Sequence, residues 1–338
     1  MILTELPRTR FATLPTPIEK AERLSEALGG PEIYVKRDDM TGRAMGGNKI
    51  RKLEYLIADA LRQDADVVVT TGGPQSNCVR STATTAKHVG LDTVAVMYGT
   101  RPDKLYGNFM MTKVLSDELV FTGVSDRSSV DRRAEEVCER LRSAGRTPYL
   151  IPRGAAISIG AVGYVNCALE LMNQLMDQDI DADRLILPSG SCGTQAGLMV
   201  GAKWLQSSFR IEGILVSRPR AESIDRLVDL SRKTIETLGM DLSITEDDAN
   251  TYDDYIGDGF AVPTRAGRDA FRMASKLEGL FLDPVYTSKA VAGIVDLIES
   301  GEINSDETIV YLHTGGEPLL FSLEHGMADD DFEPEKPY

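Results

Sequence analysis

Lys49 is the residue of this chain whose type and position most clearly suggest covalent chemistry. It follows Gly46 and Gly47 and begins a predicted helix, for which Asn48 is the expected N-cap. The apolar face of that helix is formed by Leu53, Leu56, Ile57 and Leu61. Because a helix dipole disfavours positive charge at its N-terminus, we expect a lowered pKa for the Lys49 amine, which favours Schiff-base chemistry. A lysine at a helix start is nevertheless a surface residue in most proteins, so other features must support this assignment.

A glycine-rich turn at residues 189–194 has the composition of a phosphate-binding loop. It follows the predicted strand 185–187 and leads into a helix, so free N–H groups and the helix dipole would both favour an anion. Its spacing matches neither the P-loop nor the dinucleotide-binding fingerprint. The turn therefore predicts a phosphate that belongs to neither ATP nor NAD, although a tight turn that merely needs glycine explains it equally well.

Three further polar segments lie next to predicted strands or helices: 71–77, 313–317 and the surroundings of Tyr286. Ligands of α/β proteins bind at the carboxyl ends of parallel strands, where the first two of these segments fall. Each also has an ordinary structural explanation, namely a helix cap, a glycine turn and a packed tyrosine. Together, an activated lysine, a phosphate loop and hydroxyls at several strand ends are the parts of a pyridoxal phosphate site.

The elements that must position these residues alternate between strand and helix. Short apolar or β-branched runs predict strands at 32–36, 67–70, 93–96, 119–121, 149–151, 185–187, 214–216 and 309–312. Helical periodicity lies between them, for example at 131–144. We therefore expect an α/β fold with two domains, each a mainly parallel twisted sheet flanked by helices. The predicted large domain comprises 1–49 and 159–338, and the small domain comprises 50–158.

Bulk composition excludes several classes of protein. The 338 residues are 42% hydrophobic and 26% charged, no run approaches the roughly 20 apolar residues of a membrane span, and the N-terminus does not resemble a secretory signal. We therefore expect a cytoplasmic protein without a membrane partner. The net charge of −15 argues against a nucleic-acid partner. This acidity, including the segment 329–331, fits either adaptation to high salt or an ordinary acidic enzyme.

Cysteine and histidine usage predicts neither disulfides nor a metal site. The four cysteines are widely spaced without a CxxC pair, and the chain contains only three histidines. We expect reduced thiols and no bound metal.

The motifs described above resemble those of the D-cysteine desulfhydrase, L-cysteate sulfo-lyase and 1-aminocyclopropane-1-carboxylate deaminase family. Its members are pyridoxal phosphate enzymes of fold type II. The resemblance extends from 14–17 to 313–316, nearly the whole chain. Its most specific segments are 46–49, continued by 51–54, and 75–77.

The resemblance implies a role for each candidate residue. Lys49 would bind the cofactor covalently and later move the substrate α-proton. Asn77 would bond the phenolic oxygen of the cofactor, Thr314 would face its pyridine nitrogen, and Ser76 would meet the substrate carboxylate and assist proton transfer. The residues implied to hold the phosphate are Lys52, Gly190, Ser191, Cys192, Gly193 and Thr194. The residues implied to contact the substrate are Gln75, Ser76, Asn77, Phe260 and Tyr286, with Tyr286 also a catalytic candidate.

Some positions depart from the family pattern. Cys78 stands where His or Gln is usual, Cys192 where a small residue is usual, and Phe260 where the family has a second active-site tyrosine. The deaminase pattern has Tyr-Glu where this chain has Tyr286 and Thr287, and leucine in place of Thr314. The resemblance therefore favours β-elimination over ring-opening deamination, while the missing hydroxyl at Phe260 leaves the substrate open.

The expected function is a lyase that performs β-elimination on a small sulfur-containing amino acid. A D-cysteine desulfhydrase-like reaction would give pyruvate, ammonia and sulfide. L-cysteate sulfo-lyase activity is an open alternative, to which segments 30–39 and 163–167 show some similarity. The second open alternative is a pyridoxal phosphate-binding protein with little catalytic activity. Substrate stereochemistry stays open, and the resemblance implies a homodimer.

Overall fold

The computed structural model describes residues 3–322. The strands are, in chain order, β1 (Ile18–Lys20), β2 (Glu32–Arg37), β3 (Val67–Gly72), β4 (Asp92–Met97), β5 (Glu118–Phe121), β6 (Pro148–Ile151), β7 (Arg184–Ser189), β8 (Arg210–Leu215), β9 (Asn250–Tyr252) and β10 (Thr308–His313). The helices are α1 (Glu22–Ala27), α2 (Lys49–Arg62), α3 (Asn77–His88), α4 (Gly107–Leu115), α5 (Ser129–Ser143), α6 (Ser158–Asp177), α7 (Gly193–Leu205), α8 (Arg220–Leu238), α9 (Arg265–Glu278) and α10 (Thr287–Glu299). His325 and the acidic segment 329–331 lie outside the described residues.

The strands form two sheets. The larger sheet has six strands in the order β1-β2-β10-β7-β8-β9, and all its pairings are parallel except that of β1 with β2. The smaller sheet has four parallel strands in the order β5-β4-β3-β6. Parallel strands with helical crossovers are covered on both faces, which explains why β3 and β7 are buried along their whole length. The predicted α/β class is confirmed.

Every strand predicted from the sequence is present, and the predicted helix 131–144 is α5. The short strands β1 and β9 were missed because three-residue strands carry too little pattern to detect. All strands of the smaller sheet lie within 50–158, and all strands of the larger sheet lie outside it. The exact domain boundaries stay a prediction.

Helix α2, which begins at Lys49, is buried all round from Ile50 to Ala60 rather than along one stripe. Of the predicted apolar face, Leu61 is exposed at 39%. The helix packs mainly against α6, and a buried ion network joins the two. Arg51 donates to Asp38 and Glu170 over 2.8–2.9 Å. Lys36 donates to the same Glu170 carboxylate. The helix that carries Lys49 is therefore fixed by charge as well as by packing.

Within residues 3–322, no helix is both long and apolar enough to cross a membrane. The four cysteines are buried and unpaired, as expected for reduced thiols.

Candidate active site

A cavity of about 710 Å³ opens where the carboxyl ends of strands from both sheets meet. Its walls come from the segments after β3, β7 and β10, which is where ligands bind in α/β folds. The predicted site residues that line it are Lys49, Gln75, Ser76, Asn77, Gly190, Ser191, Cys192, Thr194, Phe260, Tyr286 and Thr314. Lys52 and Gly193 lie just outside this wall. The structure thus brings together residues that are more than 200 positions apart in the chain.

Lys49 lies half-buried in the cavity wall. Burial lowers the pKa of its amine, and the nearby Arg80 guanidinium lowers it further. The pKa is therefore shifted in the expected direction, and burial of the amine is its first cause. Among the described residues, Lys49 forms no ion pair with a carboxylate, and its Nζ donates to Asn48 Oδ1 over 2.7 Å.

Asn48 is not the side-chain cap of α2 that the sequence predicted. Its backbone is already helical, and its side chain makes no capping hydrogen bond. Instead, Asn48 Nδ2 donates to Thr194 Oγ1 over 3.0 Å, while Oδ1 accepts from Lys49. The amide therefore ties Lys49 to the glycine-rich loop, a tertiary contact that local sequence cannot reveal.

The glycine-rich loop after β7 has the form of an anion cradle. Helix α7 begins at Gly193, and its N-cap Cys192 adopts the left-handed conformation with φ 68°. The Cys192 thiol is buried and faces the Ser223 carbonyl, so only its backbone is available to a ligand. A Cβ added at Gly193 would lie 3.0 Å from Lys52 Nζ and 3.1 Å from Ala156. Backbone N–H groups and a buried ammonium thus converge at a helix N-terminus.

Lys52 supplies the clearest evidence that this loop fits a phosphate. It is fully buried, forms no ion pair among the described residues, and donates only to the Gly154 carbonyl, over 3.3 Å. Burial, followed by repulsion from Lys49, holds the pKa of Lys52 well below its ordinary value. Nearby, Ser189 Oγ is buried and, among the described residues, has no hydrogen-bond partner other than the Cys192 thiol. The buried Lys52 amine, the half-buried Lys49 amine and the Ser189 hydroxyl beside a helix start match the donor set that an anionic pyridoxal phosphate needs.

The 71–77 turn supplies the opposite wall of the cavity. Ser76 caps α3 by accepting from Val79 N over 3.3 Å, which leaves its own O–H free to donate. Both explanations considered for Ser76, a cap and a site residue, are thus compatible. Gln75 lines the cavity, but its side-chain amide is engaged within the protein, since Oε1 accepts from Asn108 N and Nε2 donates to Tyr106 O. Its role as a substrate ligand stays a prediction.

Tyr286 and Phe260 form an aromatic corner of the cavity. Their ring centroids are 5.9 Å apart in an edge-on arrangement. The buried Asp283 carboxylate accepts from the backbone N–H groups of Val285, Tyr286 and Thr287, which fixes the start of α10. Burial, reinforced by Asp283, raises the pKa of Tyr286, so its phenol stays protonated at neutral pH.

Thr314 and Thr287 are the two positions at which the sequence differs from the deaminase pattern, and they lie in different surroundings. Thr314 lines the cavity, and its carbonyl accepts from Asn48 N over 3.0 Å. Thr287 is fully buried outside the cavity wall, and its hydroxyl donates to Asp283 Oδ2 over 2.7 Å. Thr287 therefore shapes the helix that carries Tyr286 rather than meeting a ligand.

Four arginines at the cavity were missed by the sequence analysis: Arg127, Arg153, Arg218 and Arg226. Arg153 pairs with Asp131, and Arg218 pairs with Glu222. Arg127 makes no ion pair among the described residues and lies over the Phe260 ring, 4.0 Å from its centroid. Its place after β5, at a strand carboxyl end, was the one sequence signal that could have revealed it.

One group of potential metal ligands lies behind the cavity. Atoms of Asp39, His313 and Glu317 approach within 4.8 Å of one another. The His313 nitrogens are engaged by Gly315 N and Phe281 O, and Asp39 pairs with Arg37. Because protein groups already satisfy these atoms, the cluster does not by itself indicate a metal site.

Comparison with known proteins identifies the family to which this chain belongs. The family model "pyridoxal-phosphate dependent enzyme" matches residues 9–315. The D-cysteine desulfhydrase of Salmonella typhimurium (strain LT2) is 40% identical over 325 residues, covering 95% of this chain and 97% of the relative. That of Salmonella choleraesuis (strain SC-B67) is also 40% identical, with the same coverage.

Solved structures show the same fold. The crystal structure of an ACC deaminase homologue superposes with a TM-score of 0.88 at 37% identity, covering 94% of each chain. Threonine deaminase isoform 2 from Solanum lycopersicum, at 20% identity, gives a TM-score of 0.64 over 90% of this chain and 80% of that one. The chain belongs to the family of pyridoxal-phosphate dependent enzymes, with the fold type II architecture. It is a lyase that uses pyridoxal phosphate.

Proposed function

We propose that the protein catalyses β-elimination on D-cysteine, giving pyruvate, ammonia and sulfide. The observation that carries this proposal is the position of Lys49, an amine of lowered pKa in a cavity with an anion cradle on one side and Ser76 and Asn77 on the other. The near full-length similarity to D-cysteine desulfhydrases supports the choice of substrate.

The residues fit the proposed assignments as follows. The loop 190–194 and Lys52 would hold the phosphate, and Asn77 and Thr314 would meet the ring. When bound, pyridoxal phosphate supplies an aldehyde that joins an amine and a ring that withdraws electrons from the substrate α-carbon. Lys49, whose lowered pKa increases its neutral fraction, would take the α-proton. The C–S bond then breaks with its electron pair on sulfur.

Ser76 and Tyr286 would orient the substrate during this step. The Ser76 oxygen accepts from Val79 N, so its proton is directed to a partner other than the helix, such as a substrate carboxylate. Tyr286 remains a phenol because its pKa is raised, and it can donate to a departing sulfur. Hydrolysis of the remaining three-carbon enamine gives pyruvate and ammonia.

The test is a substrate panel that scores each product separately. Wild-type protein should release sulfide and pyruvate in equal amounts from D-cysteine. Lys49→Ala should abolish both the release and the visible absorption band of the bound cofactor, whereas Lys113→Ala, at an exposed position of α4, should change neither. A wild type that binds cofactor but turns over no β-substituted amino acid would support the binding-protein alternative.

L-Cysteate is the second candidate substrate, and Arg127 favours it. This guanidinium lies at the cavity without a carboxylate partner among the described residues, so it could pair with a sulfonate. Sulfite release in the same panel distinguishes the two candidates.

A homodimer and a cytoplasmic location are also part of the proposal. They rest on the family resemblance and on the sequence features described above. Sedimentation equilibrium of the purified protein tests the first, and cell fractionation tests the second.

A further inference from the structure

A buried chain of hydrogen bonds leads from Arg80 to the cavity and is not used in the mechanism above. Arg80 Nη1 donates to Asn108 Oδ1 over 3.0 Å, and Asn108 Nδ2 donates to Asn77 Oδ1 over 2.8 Å. Arg80 and Asn108 are 1% and 0% exposed. Asn77, at the end of the chain, lines the cavity.

The donor-to-acceptor direction of these hydrogen bonds follows from the groups that Asn108 contacts. A guanidinium can only donate, so the oxygen of the Asn108 amide must face Arg80. A backbone carbonyl can only accept, so the nitrogen of the same amide must face Gln75 O, 2.9 Å away. The two contacts demand the same orientation of Asn108, which leaves it able only to donate to Asn77.

Asn77 is thereby oriented as well. Its oxygen accepts from Asn108, and its Nδ2 has no acceptor among the described residues of the protein. An amide held in this way presents N–H groups, not its carbonyl, to whatever occupies the cavity.

Arg80 carries an energetic cost that packing alone does not explain. Burial lowers the pKa of Arg80 to about 10, an effect that the Glu317 carboxylate offsets only in part, and the guanidinium forms no ion pair with the described residues. Its Nε has no hydrogen-bond partner among residues 3–322, and Nη2 donates to Gly46 O in the turn that precedes Lys49. A buried, unpaired cation is expensive, yet here it joins the turn before Lys49 to Asn108 of α4, which in turn bonds Asn77.

We propose that Arg80 and Asn108 are positioning residues, which fix Asn77 so that its N–H groups donate to the phenolic oxygen of pyridoxal phosphate. The inference deepens the proposed function and rests on its assignment of Asn77 to that oxygen. A donor stabilises the deprotonated oxygen, so it lowers the pH at which the absorption band of the bound cofactor changes. The orientation of one amide thus sets the charge state of the cofactor.

The deciding variant is Asn108→Asp in the cofactor-loaded protein. A carboxylate at position 108 still accepts from Arg80, but it cannot donate to Asn77. Asn77 must therefore turn its N–H groups toward residue 108 and its carbonyl oxygen toward the cavity. The midpoint pH of the absorption band should rise by about one unit or more, and cofactor affinity should fall roughly tenfold. Asn173→Asp makes the same chemical change at an exposed position of α6 and should alter neither quantity.

Two further comparisons separate positioning from a structural effect. In an Asn77→Ala background, Asn108→Asp should cause no further rise of the midpoint, since the effect passes through Asn77. If Asn108→Asp does not fold, Asn108→Ala, which removes the donor to Asn77 Oδ1 without adding a charge, should also raise the midpoint. Arg80→Met should raise it less than Asn108→Ala, because the Gln75 carbonyl still orients the Asn108 amide. A wild-type midpoint in Asn108→Asp, or in Asn108→Ala where the first variant does not fold, would overturn the proposal.

Sulfide release is measured on the same preparations. If the wild type releases no sulfide from D-cysteine but Asn108→Asp still shifts the midpoint pH, the proposed substrate is refuted and this inference stands. If the wild type releases sulfide but the substitutions leave the midpoint pH unchanged, this inference is refuted and the proposed substrate stands.

Discussion

The guanidinium of Arg127 lies 4.0 Å from the centroid of the Phe260 ring at the cavity. Burial lowers the pKa of Arg127, and repulsion from Arg218 lowers it further, so its positive charge is poorly compensated. The ring packs edge-on against Tyr286. At the position where the family resemblance leads one to expect a tyrosine hydroxyl, Phe260 thus offers the face of its ring to a cation.

Arg127→Leu should weaken substrate binding more than it weakens cofactor binding. Loss of one charge-assisted contact to an anionic group corresponds to a roughly tenfold rise in KM, while the absorption band of the cofactor should not change. Steady-state kinetics with D-cysteine and L-cysteate measure the effect, with Arg132→Leu, exposed on α5, as the control. An unchanged KM for both substrates would show that Arg127 does not contact them.

Gly193 and Gly190 provide a matched test of the anion cradle. A methyl group at Gly193 would approach Lys52 Nζ and the Ala156 backbone at 3.0–3.1 Å, whereas one at Gly190 would meet ordinary contacts of 3.4 Å or more. Gly193→Ala should therefore weaken cofactor affinity tenfold or more, and Gly190→Ala should have a small effect. Cofactor titration followed by absorbance makes the comparison; equal losses in the two variants would argue against phosphate binding at the start of α7.

The parts of this site that were predictable from the sequence are those encoded by local pattern. Buried strands such as β3 are continuous apolar or β-branched runs, and glycine-rich turns after them mark the strand ends where ligands bind. Lys49 was recognisable because it follows such a turn and begins a helix. Motif resemblance then linked Asn77 and Thr314 to it, and the structure places all three at one cavity.

The parts that were not predictable depend on contacts between distant segments. Asn48 was expected to cap its own helix, but its amide bonds Thr194, which is 146 positions away. Thr287 was considered for its effect on reaction type, yet it bonds Asp283 outside the cavity. Asn108 has no motif at all, and only its geometry between Arg80 and Asn77 gives it a role.

The ion pairs of Glu170 lead us to predict that the stability of the fold depends on pH in the acidic range. Burial alone would raise the pKa of its carboxyl, but Arg51 and Lys36 more than offset this and hold the pKa at about 2, below the ordinary 4.5. A carboxyl with a depressed pKa stabilises the fold above pH 4.5, and this contribution disappears as the pH falls toward 2. It amounts to about 3 kcal/mol.

Glu170→Gln should remove that contribution at neutral pH. The free energy of unfolding should drop by about 3 kcal/mol, because Lys36 and Arg51 lose a shared partner, and the curves of variant and wild type should converge as the pH approaches 2. Denaturant unfolding between pH 3 and 7 measures both effects, with the exposed Glu139→Gln as the control. Parallel curves across this range would contradict the assignment.

Thr287→Glu tests whether the family's deaminase residue can simply be installed. Thr287 is fully buried, and its hydroxyl donates to the Asp283 carboxylate, which itself holds the backbone before Tyr286. A glutamate here would place a second buried carboxylate against the first, so we expect a loss of roughly 3 kcal/mol or more of stability. It would also disturb the position of Tyr286.

The variant should therefore lose β-elimination without gaining the ring-opening reaction. Thermal unfolding and assays for ammonia and the four-carbon 2-oxo acid formed from 1-aminocyclopropane-1-carboxylate measure the two effects. Thr287→Ser, which keeps the hydroxyl that Asp283 accepts from, should retain stability and sulfide release. A stable Thr287→Glu protein that opens the cyclopropane ring would show that reaction type depends on this one side chain. The hydrogen bonds of Asp283 indicate instead that the residues around the start of α10 would have to change together.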